Sequence, residues 1–189
     1  MLEDWQKRFP NCEPVGHWLR VAFPDRWVRF HSLPESKRYP EDESEYETVL
    51  ERHNCILGEL TGTERRIVLL TAGYSEDLVA VRGPRFDAVD PNATLWRSVV
   101  THEFDGDSSP PGYWHVFASV WDWRPKTFDP IVRSVADCTL ANVMIVAPDC
   151  RWLLHPYDGG MDVITESPTS RDRLKAAHKE WLSVYDSGL

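Results

Sequence analysis

No two cysteines in this chain are spaced to share a metal or a redox cycle: Cys12, Cys55, Cys138 and Cys150 stand apart, with no C-x-x-C pair. Zinc ribbons and thioredoxin-like motifs are thereby excluded, and the four residues read as thiols kept reduced in a cytosol. Positive charge is scarce. With 21 Lys and Arg against 30 Asp and Glu, the formal charge is −9. Nucleic-acid phosphates are gripped by cations that displace counterions, so no nucleic-acid partner is expected. A basic protein suits this field better. No apolar run approaches the roughly 18 residues of a membrane span, and "MLEDWQKRFP" at the amino terminus lacks the basic start and apolar stretch of a secretion signal. The expectation is a soluble, cytoplasmic chain with no membrane partner.

Familiar catalytic signatures are missing too. The sequence has no G-x-x-x-x-G-K-[ST] phosphate loop, no G-x-G-x-x-G fingerprint, no H-E-x-x-H helix and no G-x-S-x-G elbow, so no cofactor is expected. Asp105, Asp107 and Ser109 open like a calcium loop, but Pro110 stands where the sharp turn needs glycine. His102, Glu103 and Asp105 offer nitrogen and oxygen ligands, yet neighbours on a strand point to opposite faces. His53 and His178 fall on or beside the apolar stripes of helices, where histidine serves as a hydrogen-bonded core-edge residue. No metal site is expected.

What is present suits one folded unit. The 189 residues, 42% of them apolar, suffice for a single core, and one globular domain over 1–189 is expected. Nine tryptophans are many for this length, and such rings favour core edges and interfaces. Apolar residues recurring at three and four predict helices over 42–60 (Tyr46, Val49, Leu50, Ile56, Leu57, Leu60), 127–138 (Phe128, Ile131, Val132, Val135) and 170–185 (Leu174, Ala177, Trp181, Leu182, Tyr185). Asp42 with Glu45, or Ser44 with Glu47, offers the first of these a capping box. A short helix over 2–9 is expected to stop at Pro10. Alternation predicts a strand over 27–33, continuous apolar runs predict central strands over 67–71 and 143–147, and a longer strand is expected over 114–121. "RWLLHPYDGGMDVIT" reads as a hairpin reversed by its Asp-Gly-Gly. Between 73 and 113 the signal fades, and loops are expected over 82–90 and 103–112. The fold class is α/β of the α+β type: a mixed, largely antiparallel central sheet with about four helices.

Two constellations carry chemistry. In "HPYDGGMD", His155, Tyr157, Asp158 and Asp162 crowd a tight turn, where carboxylates beside an imidazole can work as acid, base or ligand. Turn chemistry alone also accounts for Asp158 before two glycines. In "RFHSLPESKRYP", Arg29 and His31 share a strand face, and Ser36, Lys37, Arg38 and Tyr39 follow the Pro34 break, a cationic strand end where an anion could bind. The acids that follow, Glu41, Asp42, Glu43, Glu45 and Glu47, sit where negative charge complements a helix N-terminus. Neutralising that cluster is the simpler account of the basic pair beside it.

"PVGHWLR", "FPDRWVRFHSLPESKRYPED", "YETVLERHN", "LLHPYDGGMDV" and "LKAAHKEWL" resemble a family of soluble bacterial proteins described as a domain of unknown function. The likeness spans nearly the whole chain and is most specific over 15–54. In that family the turn more often reads Tyr-Asp-Asp-Arg-Gly, whereas here it is Tyr157-Asp158-Gly159-Gly160, one acid and one base fewer. The resemblance implies a bacterial, cytoplasmic, single-domain protein and no activity. Two functional readings remain open. One is a protein-binding or regulatory module, immunity-like in kind, that meets a basic protein with tryptophan anchors and a negative field. The other is an anionic small-molecule binder or hydrolase with a pocket between the 29–38 segment and the 155–162 turn.

Overall fold

The computed structural model describes residues 2–101 and 112–184. The candidate ligands His102, Glu103 and Asp105, the calcium-like Asp105–Asp107–Ser109 stretch and Tyr185 lie outside them. Among the described residues seven strands form one sheet: β1 (Trp27–His31), β2 (Arg66–Ser75), β3 (Thr94–Thr101), β4 (Gly112–Asp122), β5 (Val143–Val146), β6 (Leu153–Tyr157) and β7 (Gly160–Ile164), in the order β1-β7-β6-β5-β2-β4-β3. Every pairing is antiparallel. The same residues form six α-helices: α1 (Leu2–Arg8), α2 (Gly16–Ala22), α3 (Glu43–Thr61), α4 (Pro84–Val89), α5 (Asp129–Ala136) and α6 (Pro168–Ala177). Among the described residues no helix is long and apolar enough to cross a membrane. The four cysteines are free.

The two-residue period of the strands builds a core on each face. On β2, Ile67 and Leu69 join Val49, Ile56 and Leu57 of α3 and Ile131, Val132 and Val135 of α5. Val68, Leu70 and Ala72 point the other way, onto Trp5 and Leu19 of the first two helices and Phe9 and Val15 beside them. Both faces being covered, the central strands read as unbroken apolar runs. On β1 only Val28 and Phe30 are buried, and Trp27, Arg29 and His31 are half-buried, as the alternation predicts. Phe30 is fully enclosed beside Met161 and Val163, and truncating such a ring costs roughly 3–5 kcal/mol.

The start of α3 explains most of the acidic stretch. Asp42 is the N-cap and accepts a hydrogen bond from the Glu45 N–H at 3.0 Å, while Glu45 reaches back to the Glu41 N–H at 2.7 Å. Of the two capping boxes open to the sequence, the first forms, displaced by one residue on its return arm. The last helix corrects the expectation. It begins earlier, capped by Ser167, and ends at Ala177, which is exposed. The chain then tightens into a short 3-10 turn over Lys179–Trp181, which lays Trp181 on His178 at 4.3 Å and edge-on to Phe30.

Three elements carried no readable signal. β3 is broken by a register shift between Leu95 and Arg97, which spoils its alternation. The loop expected over 82–90 contains α4, started by Pro84 and fastened by Phe86 and Val89 against the first core. Helix α2 is one of two seven-residue helices on the second face, and its first residue is glycine because a Cβ there would lie 2.7 Å from the His155 ring.

Close approach also fixes Gly160, where β7 leaves the hairpin turn. A Cβ there would stand 2.1 Å from the carbonyl oxygen of Phe30 and 2.9 Å from the Tyr157 hydroxyl. Replacing Gly160 with alanine should cost about 3 kcal/mol and lower Tm by roughly 6–12 °C in a calorimetric scan, because backbone rather than a flexible side chain must yield. His53, buried between α3 and the sheet, gives a pH prediction. Its Nδ1 lies 2.7 Å from Val49 O, and burial pulls its pKa from 6.5 down to about 4. The folded protein therefore holds His53 neutral while the unfolded chain protonates below pH 6.5. Its contribution is fully present above that pH and is lost as pH falls towards 4. Urea midpoints at pH 7 and pH 4 should show wild type losing about 3 kcal/mol more than a His53→Leu variant over that interval.

Candidate functional site

The two constellations meet, because β1 enters the sheet beside β7. Register places Arg29 opposite Asp162, and Asp162 opposite His155 on β6, so the three side chains form a row on the face covered by α2. Arg29 grips Asp162 with both arms of its fork, Nε to Oδ1 at 2.7 Å and Nη2 to Oδ2 at 2.9 Å. Its guanidinium lies 4.5 Å from the Tyr157 ring centroid and 5.7 Å from that of Trp27. Burial pushes the Tyr157 hydroxyl up to about 12, against the pull of the arginine, so Tyr157 stays protonated.

The two histidines are kept neutral by their surroundings. His155 is buried, with Nδ1 2.7 Å from Val143 O and its ring against Gly16, and burial lowers its pKa. His31 is lowered by burial and then by the charges of Arg29 and Arg52. Arg52 donates to its carbonyl at 2.8 Å, and the buried His31 Nε2 has no hydrogen-bond partner among the described residues.

The second cluster lies at the hairpin end. Arg38 donates to Asp158 through Nε at 2.8 Å and Nη2 at 3.2 Å, with the Tyr39 ring 5.3 Å away. Lys37 turns from both clusters towards α3, where Glu45 receives it at 2.6 Å and Glu41 at 3.2 Å. The turn between them is strained: Glu35 and Ser36 both sit at positive φ, near 56° and 57°, a conformation that costs non-glycine residues roughly 1–2 kcal/mol each. It sends Lys37 and Arg38 in different directions.

All three cations of the first motif thus already hold carboxylates. An anion arriving here must displace Asp162, Asp158 or Glu45. A shallow cleft of about 290 Å³ reaches the cluster between Cys138, Asn142, His155, Tyr157 and Asp158. None of the nine tryptophans is an exposed anchor: Trp5, Trp114 and Trp152 are buried and the other six half-buried.

Two polar clusters escaped the sequence. Arg82, Asp90, Ser119 and Thr71 form a buried network in which Asp90, wholly enclosed, accepts from Ser119 Oγ at 2.6 Å, and Arg82 donates to Asp90 O at 2.6 Å. The network ties the α4 segment to the sheet and would have needed the strand pairing to be foreseen. The other joins Cys55 and Glu59, four apart on the exposed side of α3, to His178 after α6. Their helical spacing was readable, and the approach of His178 was not.

The architecture is a single antiparallel sheet with helices on both faces and a charged latch holding one edge strand. The chain belongs to the family described as domain of unknown function DUF3885, matched over residues 15–186. No curated protein and no solved structure matches it.

The latch gives a direct test. Asp162→Leu should cost roughly 3–5 kcal/mol, since it leaves Arg29 poorly solvated and unpaired, and Arg29→Met a similar amount, whereas the two changes together should cost less than either alone. Urea unfolding of the four chains measures the coupling, and additive losses would dismiss the pair as a latch.

Proposed function

We propose that this protein is a binding module that meets a basic protein partner through the outer face of α3. One observation carries the reading. Glu43, Glu47, Glu51, Cys55 and Glu59 follow one another at four-residue intervals along that helix, all exposed, with no Lys or Arg in the series. Glu43 is held by Arg133 and Glu59 by His178, and Glu47 and Glu51 make no ion pair among the described residues. Like charges four apart on a helix repel by about 0.2–0.5 kcal/mol per pair. The stripe therefore works against the helix that bears it, and cations of a partner would relieve it.

The net charge of −9 supports the same reading, because a negative field steers basic proteins and speeds their encounter. Four free cysteines suit a reducing cytoplasm, and family resemblance suits a bacterial source. Immunity proteins, small acidic binders that neutralise a toxin, are one class of module with this charge. The tryptophans lend no support, since they serve the cores.

The anionic-ligand or hydrolase reading is favoured by the meeting of the two motif segments beside a cleft. It is weakened by the carboxylates that already occupy Arg29, Lys37 and Arg38. A phosphate-dependent rise in Tm that is lost in Arg38→Ala would favour it over partner binding.

To test the binding reading, the immobilised protein and a Glu47→Lys/Glu51→Lys variant are exposed in parallel to an extract of the native cell. A basic protein retained by wild type should bind the variant roughly tenfold more weakly, about 1.4 kcal/mol, with an association rate that falls as salt rises. Equal retention by both chains would sink the proposal.

A further inference from the structure

At the carboxyl-terminal half of α3 the acidic stripe is interrupted by a thiol, and there a second element comes close. Cys55 Sγ, a carboxylate oxygen of Glu59 and a ring nitrogen of His178 all lie within 4.8 Å of one another. Glu59 Oε1 is 2.5 Å from His178 Nε2 and 3.9 Å from Cys55 Sγ. The three residues bring three donor types from positions 119 residues apart in the case of Glu59 and His178. We propose that they form a binding site for a divalent transition-metal ion of borderline softness, with Zn²⁺ as the preferred occupant.

The donor set selects the metal. A thiolate with an imidazole and a carboxylate suits zinc, whereas Ca²⁺ and Mg²⁺ take oxygen ligands throughout. Distances agree. Bonds of about 2.0–2.3 Å arranged tetrahedrally set ligand atoms roughly 3.3–3.8 Å apart. The Cys55–Glu59 separation is already close to that. Glu59 and His178 must part by under about 1 Å, and Cys55 and His178, within 4.8 Å of each other, must close by at most about 1 Å, movements within the reach of side-chain torsions. Three protein ligands leave the fourth position to water, the arrangement of an open site and not of a closed structural one.

His178 is held in place for this role. Its ring stacks on Trp181 at 4.3 Å with the planes 23° apart and meets the Phe30 ring edge-on at 5.9 Å. Cys55 and Glu59 are fixed by helix spacing, since residues four apart lie on one face. The sequence alone assigns His178 a core-edge hydrogen bond, and it does make one, to Glu59. The same contact presents its nitrogen to the pair on α3. The site shares the outer face of α3 with the proposed interface, but its ligands are Cys55, Glu59 and His178, whereas the charges tested for partner binding are Glu47 and Glu51.

The test is a Co²⁺ titration of the full chain after chelator treatment, read by absorbance and followed by Zn²⁺. One equivalent of Co²⁺ should give a thiolate-to-cobalt charge-transfer band with the ligand-field bands of a four-coordinate ion, and one equivalent of Zn²⁺ should abolish both. Cys55→Ser should remove the charge-transfer band, His178→Gln should weaken binding at least about tenfold, and Glu47→Gln/Glu51→Gln should leave both unchanged. In the unaltered chain, Zn²⁺ should slow alkylation of Cys55 and not of the other exposed thiol, Cys138. Absence of the band, its survival in Cys55→Ser, or protection of Cys138 in place of Cys55 would overturn the proposal.

Discussion

The bidentate contact between Arg29 and Asp162 spans 133 residues of chain and fixes how the edge strand joins the sheet. Strand pairing has a two-residue side-chain period, so a slip of one place would turn Phe30 out of the core and Arg29 into it. The paired register that seats Phe30 opposite Met161 also sets the guanidinium opposite its carboxylate. Apolar burial and ionic pairing therefore specify one alignment between them. Everything attached to β1 inherits its position from that alignment: the strained turn, the Lys37 and Arg38 contacts and the start of α3.

The tryptophans of this chain serve its interior and not an exposed surface. The aromatic wealth that suggested a sticky surface is spent on two cores and the turns that seal them, with Trp181 closing the end of α6 and Trp5 and Trp114 lining the second face. The outside of α3 is left to charge. A surface of this kind favours fast, salt-sensitive encounters over dry and slowly released ones.

Elements whose signal was local were legible in the sequence. α3 showed its cap and its stripe, β1 its alternation, and the β6–β7 hairpin its Asp-Gly-Gly. Where a tertiary event decided the outcome, the pattern misled. β3 conceals its period behind a bulge, α2 begins with a glycine that only the His155 ring explains, and α6 gives way early so that Trp181 can reach Phe30. The candidate site follows the same rule. Its charged residues could be named from type and spacing, yet their partners depended on strand order, which sets Asp162 against Arg29 and brings Asp158 to Arg38. The Arg82–Asp90 network and the third member of the Cys55 cluster were hidden for the same reason.

The family likeness begins at residue 15, but Trp5 and Phe9, each only 1% exposed, are already packed against β-sheet residues of the second core. The stretch shared with the family is thus shorter than the packed core described here. Trimming this chain to the shared stretch would uncover the apolar flank formed by Val68, Leu70 and Met144 and give the molecule a sticky side that the whole chain keeps shut. The span of the family match and the span of the packed core part company at this one helix.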